Sequence, residues 1–341
     1  MDVTIAKIPD PECDTFLKNR PDATICHTYQ WADAVARAAR LKAFYLVARD
    51  TKGVHGVLPL TQAKSRLFGN FMVSQAFSNY GGILADSPEA RDTLFNHAVE
   101  LAGKLNCESI EFRNVQLLPF NLELRSDKMC MYLSLAADTD KIWKSFDPKV
   151  RNQIRKAEKS GIIVTDSRLE LLDDFDNVYT IRMHQLGTPA YPRSVMKNIL
   201  DAFVDNSRIF AAKLGQSTIG AGFVTCYNGL VEIHWAATRV EYNNLCPNML
   251  LYWSVIRHYC LAGARCFDFG RCTVDGPTSN FKKQWGAEPV PLHYQYWVRP
   301  GCKLSILSPD NPKYKRKVEI WKRLPLWMTR LIGPHISQNL P

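Results

Sequence analysis

The chain has 341 residues, 46% of them apolar, and a formal net charge of +10. This length suits two domains that each bury a core, and the charge favours an anionic partner: nucleic acid, a phosphorylated substrate or a membrane surface. The ten cysteines follow no CxxC or zinc-ligand spacing, which argues against a disulfide-rich secreted protein and against a zinc domain. The thiols are expected to be mostly buried, in a cytoplasmic protein that binds no metal and no cofactor.

Neither export nor membrane insertion is expected. The opening residues MDVTIAKIPDPE have neither the basic nor the apolar region of a signal peptide. The most apolar segment, residues 248–264, contains Arg257 and His258, so it suits a core helix better than a membrane-spanning one.

Residues 1–140 are predicted to form the first α/β domain. Helices are expected over 28–41 and 87–105, the second with Ser87 as N-cap, because apolar residues recur every three or four positions. Strands are expected over residues 43–50, 55–63, 109–115 and 128–136. A polar break at 137–140 marks the domain boundary.

Residues 141–300 are predicted to form the second domain, followed by a basic amphipathic tail at 301–341. The predicted elements are a helical stretch over 141–161 broken at Asp147-Pro148, an antiparallel meander over 208–239, a helix over 243–263, and strands over 264–270 and 291–299. The helix–strand segments 94–115 and 250–271 resemble each other in pattern. This similarity indicates a duplicated α/β unit.

A cationic stripe is predicted on the helix after Pro148. Arg151, Arg155 and Lys159 recur every four residues, with Lys156 beside them, while Ile154 and Ala157 can face the core. Such a stripe suits a phosphate or another polyanion, but it is also typical of a solvated basic surface. The pattern alone leaves both interpretations open.

The segment FDFGRCTVDGPTSNFKKQWG, residues 267–286, places cations among aromatic rings just after an apolar strand. Phe281 and Trp285 suit core packing. Lys282 between them would be partly desolvated, so its charge would act strongly on a nearby carbonyl or phosphate. Arg271 lies at the mouth of the strand. Asp268 alternates with two phenylalanines, so it is expected to point away from them and is the best candidate for proton transfer.

Two further features have open interpretations. His234 lies on a predicted central strand, where it is either a hydrogen-bonded core residue or a general base. The tail over residues 312–336 alternates basic with large apolar side chains, so it suits either an anionic membrane interface or a helix docked on the body. Pro325 is expected to break any single long helix there.

Together, the segments RNQIRKAEKSG, FDFGR and FKKQWG resemble the FemAB-type transferases, which are duplicated acetyltransferase-like (GNAT) proteins. More closely, LPLTQAKSRLFGNFMVSQAFSNYGG and FKKQWGAEPVPLHYQYW look like FemAB-related proteins associated with exosortase/PEP-CTERM exopolysaccharide systems. The resemblance spans nearly the whole chain. It implies two tandem GNAT-like domains, each with a mixed, mostly antiparallel sheet flanked by helices.

The resemblance also implies an activity. Peptidoglycan-type members of the family pass an aminoacyl group from aminoacyl-tRNA to an amine of a cell-wall precursor. By this resemblance, Lys282 maps to the family lysine that stabilises the oxyanion. Arg151, Arg155, Lys156 and Lys159 would then contact phosphate or the donor nucleic acid. Arg271, Phe281, Trp285 and His234 would line the substrate site, with Asp268 beside Lys282.

The sequence departs from acyl-CoA-using relatives, whose glycine-rich turn cradles the pyrophosphate. The corresponding turn here, EYNNLCPN at 241–248, has no glycine, which argues against acyl-CoA, and no heptad run marks the coiled-coil arm of some tRNA-using members. The donor therefore stays open, with aminoacyl-tRNA ahead of acyl-CoA or an acyl carrier protein. The expected acceptor is an envelope glycan or its nucleotide- or lipid-linked precursor. A non-catalytic module that binds nucleic acid or a membrane is the competing hypothesis.

Overall fold

The computed structural model describes residues 1–65, 68–304 and 312–340, with backbone only for 312–314. The predicted tail and the quoted motif around residue 66 therefore lie partly outside the described residues. The chain forms two compact units. The first comprises residues 1–128, 291–311 and 335–341, and the second comprises residues 129–290 and 312–334.

The first unit contains a mixed sheet and three helices. Its helices are α1 (Pro11–Lys18), α2 (Tyr29–Ala39) and α3 (Pro88–Lys104). Its strands are β1 (Asp2–Ala6), β2 (Lys42–Asp50), β3 (Gly53–Ser65), β4 (Gly69–Ser74), β5 (Leu84–Ala85), β6 (Ser109–Asn114), β7 (Glu123–Arg125) and β15 (His293–Val298). The sheet order is β1-β2-β3-β4-β6-β15-β7, with β5 paired to β3. Only β4 and β6 run parallel among the described pairs.

The second unit contains a seven-stranded sheet in the order β14-β8-β13-β12-β11-β10-β9 among the described residues. Its strands are β8 (Lys128–Ser134), β9 (Ile162–Ser167), β10 (Ser207–Leu214), β11 (Ser217–Tyr227), β12 (Leu230–Thr238), β13 (Cys266–Thr273) and β14 (Glu288–Pro291). Its helices are α4 (Thr139–Ser145), α5 (Pro148–Lys159), α6 (Leu172–Leu186), α7 (Arg193–Ala202), α8 (Pro247–Leu261), α9 (Pro277–Lys283), α10 (Pro312–Arg323) and α11 (Leu326–Ser337), the last of which runs to the unit boundary.

The predicted duplication is confirmed at the level of topology. In the first unit, α3 lies in the chain between the parallel strands β4 and β6, and in the second, α8 lies between the parallel strands β12 and β13. In each unit the helix packs its buried residues against the sheet; Leu94 and Ala98 of α3 and Leu251 and Val255 of α8 belong to the two cores. Both halves are mixed sheets flanked by helices.

Two strands complete a different sheet from the one that their position in the chain suggests. From their positions in the chain, residues 128–136 are expected in the first half and residues 291–299 in the second. Instead, β8 is a strand of the second sheet, next to β13, and β15 pairs with β6 and β7 in the first sheet. Sequence proximity did not reveal this exchange, because strand pairing is a long-range choice.

Local signals placed most of the other elements correctly. The Ser87 side chain accepts from the backbone N–H of Ala90, as an N-cap should, and Gly161 follows α5 with φ +78. The predicted break at Pro148 separates α4 from α5. The helix expected from residue 243 begins at Pro247, after a 3₁₀ turn. None of the described helices is long and apolar enough to cross a bilayer.

One ion-pair cluster of the first unit makes stability depend on pH. The ring of His55 lies 2.9 Å from a carboxylate oxygen of Asp86 and 2.9 Å from one of Asp50, and these contacts, Asp86 first, raise the pKa of His55. Because the pKa of His55 is raised in the folded state, its ion pairs stabilise the fold fully below the unfolded-state pKa of about 6.5. This stabilisation is lost as pH rises through the folded-state pKa of His55.

We therefore expect His55→Gln to lower the urea midpoint of unfolding at pH 5.5 and to leave it nearly unchanged at pH 9. The check is a pair of urea titrations of wild type and variant at the two pH values. The same substitution in an Asp50→Asn/Asp86→Asn background should show no pH-dependent difference. An equal effect of His55→Gln at both pH values would contradict the ion-pair explanation.

Candidate active site

Strand β13 separates its apolar and polar side chains onto opposite faces of the second sheet. The rings of Phe267 and Phe269 pack on Tyr252 of α8, at centroid distances of 6.2 and 5.5 Å. Asp268, between them, points to the other face and is fully buried. The predicted orientation of Asp268 is therefore confirmed.

The parallel ladder between β12 and β13 stops where two buried carboxyl groups meet. Its three pairs are Leu230–Cys266, Val231–Phe267 and Glu232–Asp268, although both strands continue beyond them. Directly paired residues share a face, so Glu232 and Asp268 lie side by side, 3% and 0% exposed. The ladder between the two strands ends at this pair, so the site lies at the end of the β12–β13 ladder.

Lys282 and Asp268 bind the two peptide groups on either side of Gly270 in β13. The Nζ of Lys282 donates to the carbonyl oxygen of Gly270 at 2.5 Å and to that of Arg271 at 3.1 Å. A carboxylate oxygen of Asp268 accepts from the N–H of Gly270 at 2.7 Å. Gly270 adopts φ +76, a conformation that favours glycine because it has no Cβ. Two successive backbone carbonyls of the strand thus accept from one ammonium group.

The Lys282 ammonium uses two of its three N–H donors on these carbonyls. No other hydrogen-bond partner of Nζ occurs within the part of the chain that the structure describes. The side chain is only 4% exposed. Burial lowers the pKa of Lys282, and the nearby Cys272 and Asp268 oppose that shift. The site therefore holds a desolvated cation with a donor in reserve.

Aromatic rings fix the helix that carries Lys282. The segment was not predicted to be helical, but Pro277–Lys283 forms α9, and Trp285 follows it with no exposure. The Trp285 ring packs edge-on to Phe146 at 5.1 Å and lies 5.9 Å from Phe269. Phe281 is half-buried, 5.4 Å from the ring of Tyr252. The two rings thus pack in the core, as the structural interpretation expected, and they hold the helix that carries the lysine against it.

Two residues of this cluster did not stand out in the sequence. Glu232 is the lone carboxyl in the apolar run LVEIHW, and this isolation is the sequence signal that could have identified it as a site residue. Cys130 of β8 is fully buried, and burial together with Asp268 raises the pKa of its thiol well above the usual range. The Cys130 thiol is therefore protonated and unreactive at neutral pH.

His234 occupies a β-bulge beside the carboxyl pair. Phe223 pairs with Trp235 and Val224 with Ile233, so His234 is the extra residue of β12. Its Nε2 lies 2.8 Å from the Thr225 hydroxyl, and a ring nitrogen lies within 4.8 Å of a Glu232 carboxylate oxygen.

The His234 ring is neutral at physiological pH. Burial lowers the pKa of His234 to about 3. The ring is thus hydrogen-bonded to Thr225, as expected of a core residue. It also lies close to the candidate site, as a general base would.

The cationic stripe is mainly a surface feature, with one link to the aromatic cluster. Ile154 and Ala157 are buried as predicted, while Arg155, Lys156 and Lys159 are exposed. The Arg151 guanidinium donates to the Lys144 carbonyl at 3.1 Å.

Arg155 connects this stripe to the rings around Lys282. Its guanidinium lies over the Trp143 ring at 5.5 Å, and Trp143 contacts Phe146, which contacts Trp285. Arg271, at the end of β13, is exposed, and its carbonyl accepts from Lys282. One aromatic layer thus separates Arg155 from the Lys282 segment.

Substituting Gly270 tests whether the hydrogen bonds on either side of this residue stabilise the fold. Gly270→Ala should lower the free energy of unfolding by about 2 kcal/mol or more, because it adds left-handed strain at a residue whose N–H binds Asp268 and whose carbonyl binds Lys282. Gly215→Ala is the matched control: Gly215 has φ +57 and nothing within 4 Å of an added Cβ, so it reports the strain alone, about 1 kcal/mol. Equal losses in urea titrations of both variants would show that the bonds to Gly270 add nothing.

Residues 144–283 match the family model described as acetyltransferase (GNAT) domain. No curated protein matches the chain. Among solved structures, FemX has a TM-score of 0.68 at 17% identity over 93% of this chain and 99% of its own. L-PGS from Bacillus licheniformis has a TM-score of 0.56 at 13% identity, over 97% of this chain and 99% of its own.

A tandem GNAT protein from the clavulanic acid pathway has a TM-score of 0.50 at 14% identity, over 89% of this chain and all of its own. At these identities the likenesses show the fold alone, and that fold agrees with the resemblance to FemAB-type transferases. The protein thus has a tandem GNAT-like fold, and the family match over residues 144–283, which include Asp268 and Lys282, makes it an acyltransferase.

Proposed function

We propose that the protein transfers an activated acyl or aminoacyl group to an amine of a cell-envelope glycan or of its nucleotide- or lipid-linked precursor. The observation that carries the proposal is the buried Lys282 ammonium, which keeps one donor in reserve where the parallel strands of an acyltransferase domain separate. The sequence resemblance to FemAB-related proteins of exosortase/PEP-CTERM systems supports the glycan acceptor. The proposed location is the cytoplasm, where activated donors are made.

In the proposed reaction, the acceptor amine attacks the carbonyl carbon of the donor ester or thioester. A C–N bond forms, the carbonyl oxygen becomes an oxyanion, and the C–O or C–S bond to the leaving group then breaks. The reserve N–H of Lys282 stabilises the oxyanion, and its desolvated position strengthens that interaction. Asp268 accepts from the N–H of Gly270, the residue whose carbonyl accepts from the ammonium, and so helps to position that carbonyl.

The proton of the attacking amine needs an acceptor within the same cluster. Asp268 is already engaged with the Gly270 N–H, whereas the His234 ring is unprotonated and its pKa of about 3 makes it a weak base. Glu232, next to both residues, joins them as a candidate. We assign the proton to this carboxyl–imidazole group as a unit, because its members lie side by side.

The proposed donor is aminoacyl-tRNA. Residues 240–245 form a 3₁₀ turn, and Cys246 places a side chain at φ 59 where glycine-rich turns offer bare backbone to a pyrophosphate. The exposed cations Arg155, Lys156 and Lys159 complement a nucleic-acid backbone. An acyl-CoA or acyl-carrier-protein donor is the second candidate, since GNAT-type domains in general use acyl thioesters.

Replacing the buried lysine should abolish transfer and leave the fold intact. Lys282→Met should lower the rate of label transfer from a radiolabelled donor to the glycan fraction of an envelope extract by about 10²–10³-fold, the range for loss of one oxyanion donor. Methionine fills similar space without a buried charge, so the thermal midpoint should stay within a few degrees.

Lys283→Met is the matched control. Lys283 is the next residue of α9, exposed and 3.8 Å from Asp275, and its loss should leave transfer unchanged. If Lys282→Met folds normally and transfers at the wild-type rate, the proposed role of Lys282 is wrong.

Ligand-induced stabilisation should separate the two donors. Saturating aminoacyl-tRNA at about 100 times its Kd should stabilise the protein by about 2.7 kcal/mol and raise the thermal midpoint by several degrees. Acetyl-CoA should produce no comparable shift. Deacylated tRNA and free CoA serve as controls in the same scans, and a shift with acetyl-CoA alone would replace the tRNA donor by a thioester.

A further inference from the structure

The outer surface of α10 and α11 exposes three large apolar side chains. Ile320, Trp327 and Leu331 are 60%, 67% and 66% exposed in the folded chain. Trp327 and Leu331 are four residues apart, so they project from the same side of α11. Single exposed apolar residues are common, but three within twelve residues form a patch that needs an explanation.

Positive charge surrounds this patch. Residues 315–331 contain six basic side chains and one acidic one, Glu319, which is 3.0 Å from Lys322. Lys315, Arg316 and Arg323, together with Glu319 and Ile320, line a shallow surface depression of about 350 Å³. A surface with this excess of cations complements a layer of anionic headgroups.

The opposite face of the two helices is held against the second unit. Trp321 is 7% exposed, and the Leu324 carbonyl accepts from Nε2 of His184 in α6 at 2.8 Å. Arg330 donates to the side chain of Asn177, also in α6. The helices are therefore docked on the body, and this docking fixes Ile320, Trp327 and Leu331 in an outward orientation.

We propose that the surface formed by residues 315–331 binds the interface of an anionic bilayer. Trp327 and Leu331 insert beside the lipid headgroups, and Lys315, Arg316 and Arg323 contact lipid phosphates. A polynucleotide would match the cations but would leave Ile320 and Leu331 without an apolar partner. The surface shares no residue with the Lys282 site, so the inference stands apart from the proposed activity.

Sedimentation of the full chain with lipid vesicles tests the inference. The protein should bind vesicles with 40 mol% phosphatidylglycerol and not vesicles of phosphatidylcholine alone, and 0.5 M NaCl should weaken the binding. Trp327→Ser/Leu331→Ser and Arg316→Gln/Arg323→Gln should each lower the partition constant by about tenfold or more. Because all four side chains are exposed, both double variants should keep the wild-type thermal midpoint.

Matched controls come from other exposed positions. Val204 and Leu261 are 56% and 67% exposed, and Val204→Ser/Leu261→Ser should leave vesicle binding unchanged. Lys52→Gln/Lys104→Gln removes two exposed charges elsewhere and should have much less effect than loss of Arg316 and Arg323. Brominated lipids should quench the fluorescence of wild type more than that of Trp327→Phe.

Equal binding to both vesicle types, or wild-type binding by Trp327→Ser/Leu331→Ser, would overturn the inference. Binding to polyuridylate without binding to vesicles would also overturn it, in favour of a nucleic-acid surface. Trp327→Ser/Leu331→Ser and Arg316→Gln/Arg323→Gln should keep full transfer activity on water-soluble substrates. Lys282→Met, in contrast, should bind vesicles normally. Failure of one proposal is thereby distinguishable from failure of the other.

Discussion

The burial of one ammonium group against two backbone carbonyls organises the second unit. A desolvated cation is stable only where fixed oxygen atoms replace its lost water, and Gly270 and Arg271 provide those atoms. Gly270 adopts φ +76 within β13, and Asp268 binds its N–H while Lys282 binds its carbonyl. Trp285 is fully buried and Phe281 is half-buried on the helix that carries the lysine. The strand end, the short helix and the aromatic core thus meet at one contact.

The sheet itself explains why this contact lies where it does. Antiparallel neighbours in the second unit pair along most of their length, whereas β12 and β13 stop pairing after Glu232 and Asp268. The β-bulge at His234 follows two residues later on the same strand. An irregular, unpaired stretch in the middle of a buried sheet weakens packing, so its presence is better explained by what the opening accommodates than by stability.

Local chemistry made much of the fold predictable. The apolar spacing of α2 and α3, the N-cap at Ser87 and the alternation around Asp268 each depend on a few neighbouring residues, and each prediction was correct. Long-range features were not accessible in this way. The sequence shows neither the partners of β8 and β15 nor the bulge at His234, because both are defined by the facing strand.

The residues of the candidate site also differ in how far local sequence patterns predicted them. Aromatic neighbours pointed to Lys282, because the pattern around a desolvated cation is local. Glu232 and Cys130 reach the cluster only through strands that adjoin β13, and the isolation of Glu232 in an apolar run was the one local signal for either residue. The helical state of α9 was missed because seven residues beginning at a proline offer too few periods to detect.

The exchange of β8 and β15 has a consequence for synthesis on the ribosome. The first sheet places β15 between β6 and β7, so the partners of residues 109–114 and 123–125 are made only after nearly the whole second unit has been translated. Until then, β6 has an open edge, of the kind that recruits other chains. The order of translation therefore makes the N-terminal unit the last to be completed. Because β6 keeps an open edge until then, we expect the nascent chain to need protection by chaperones.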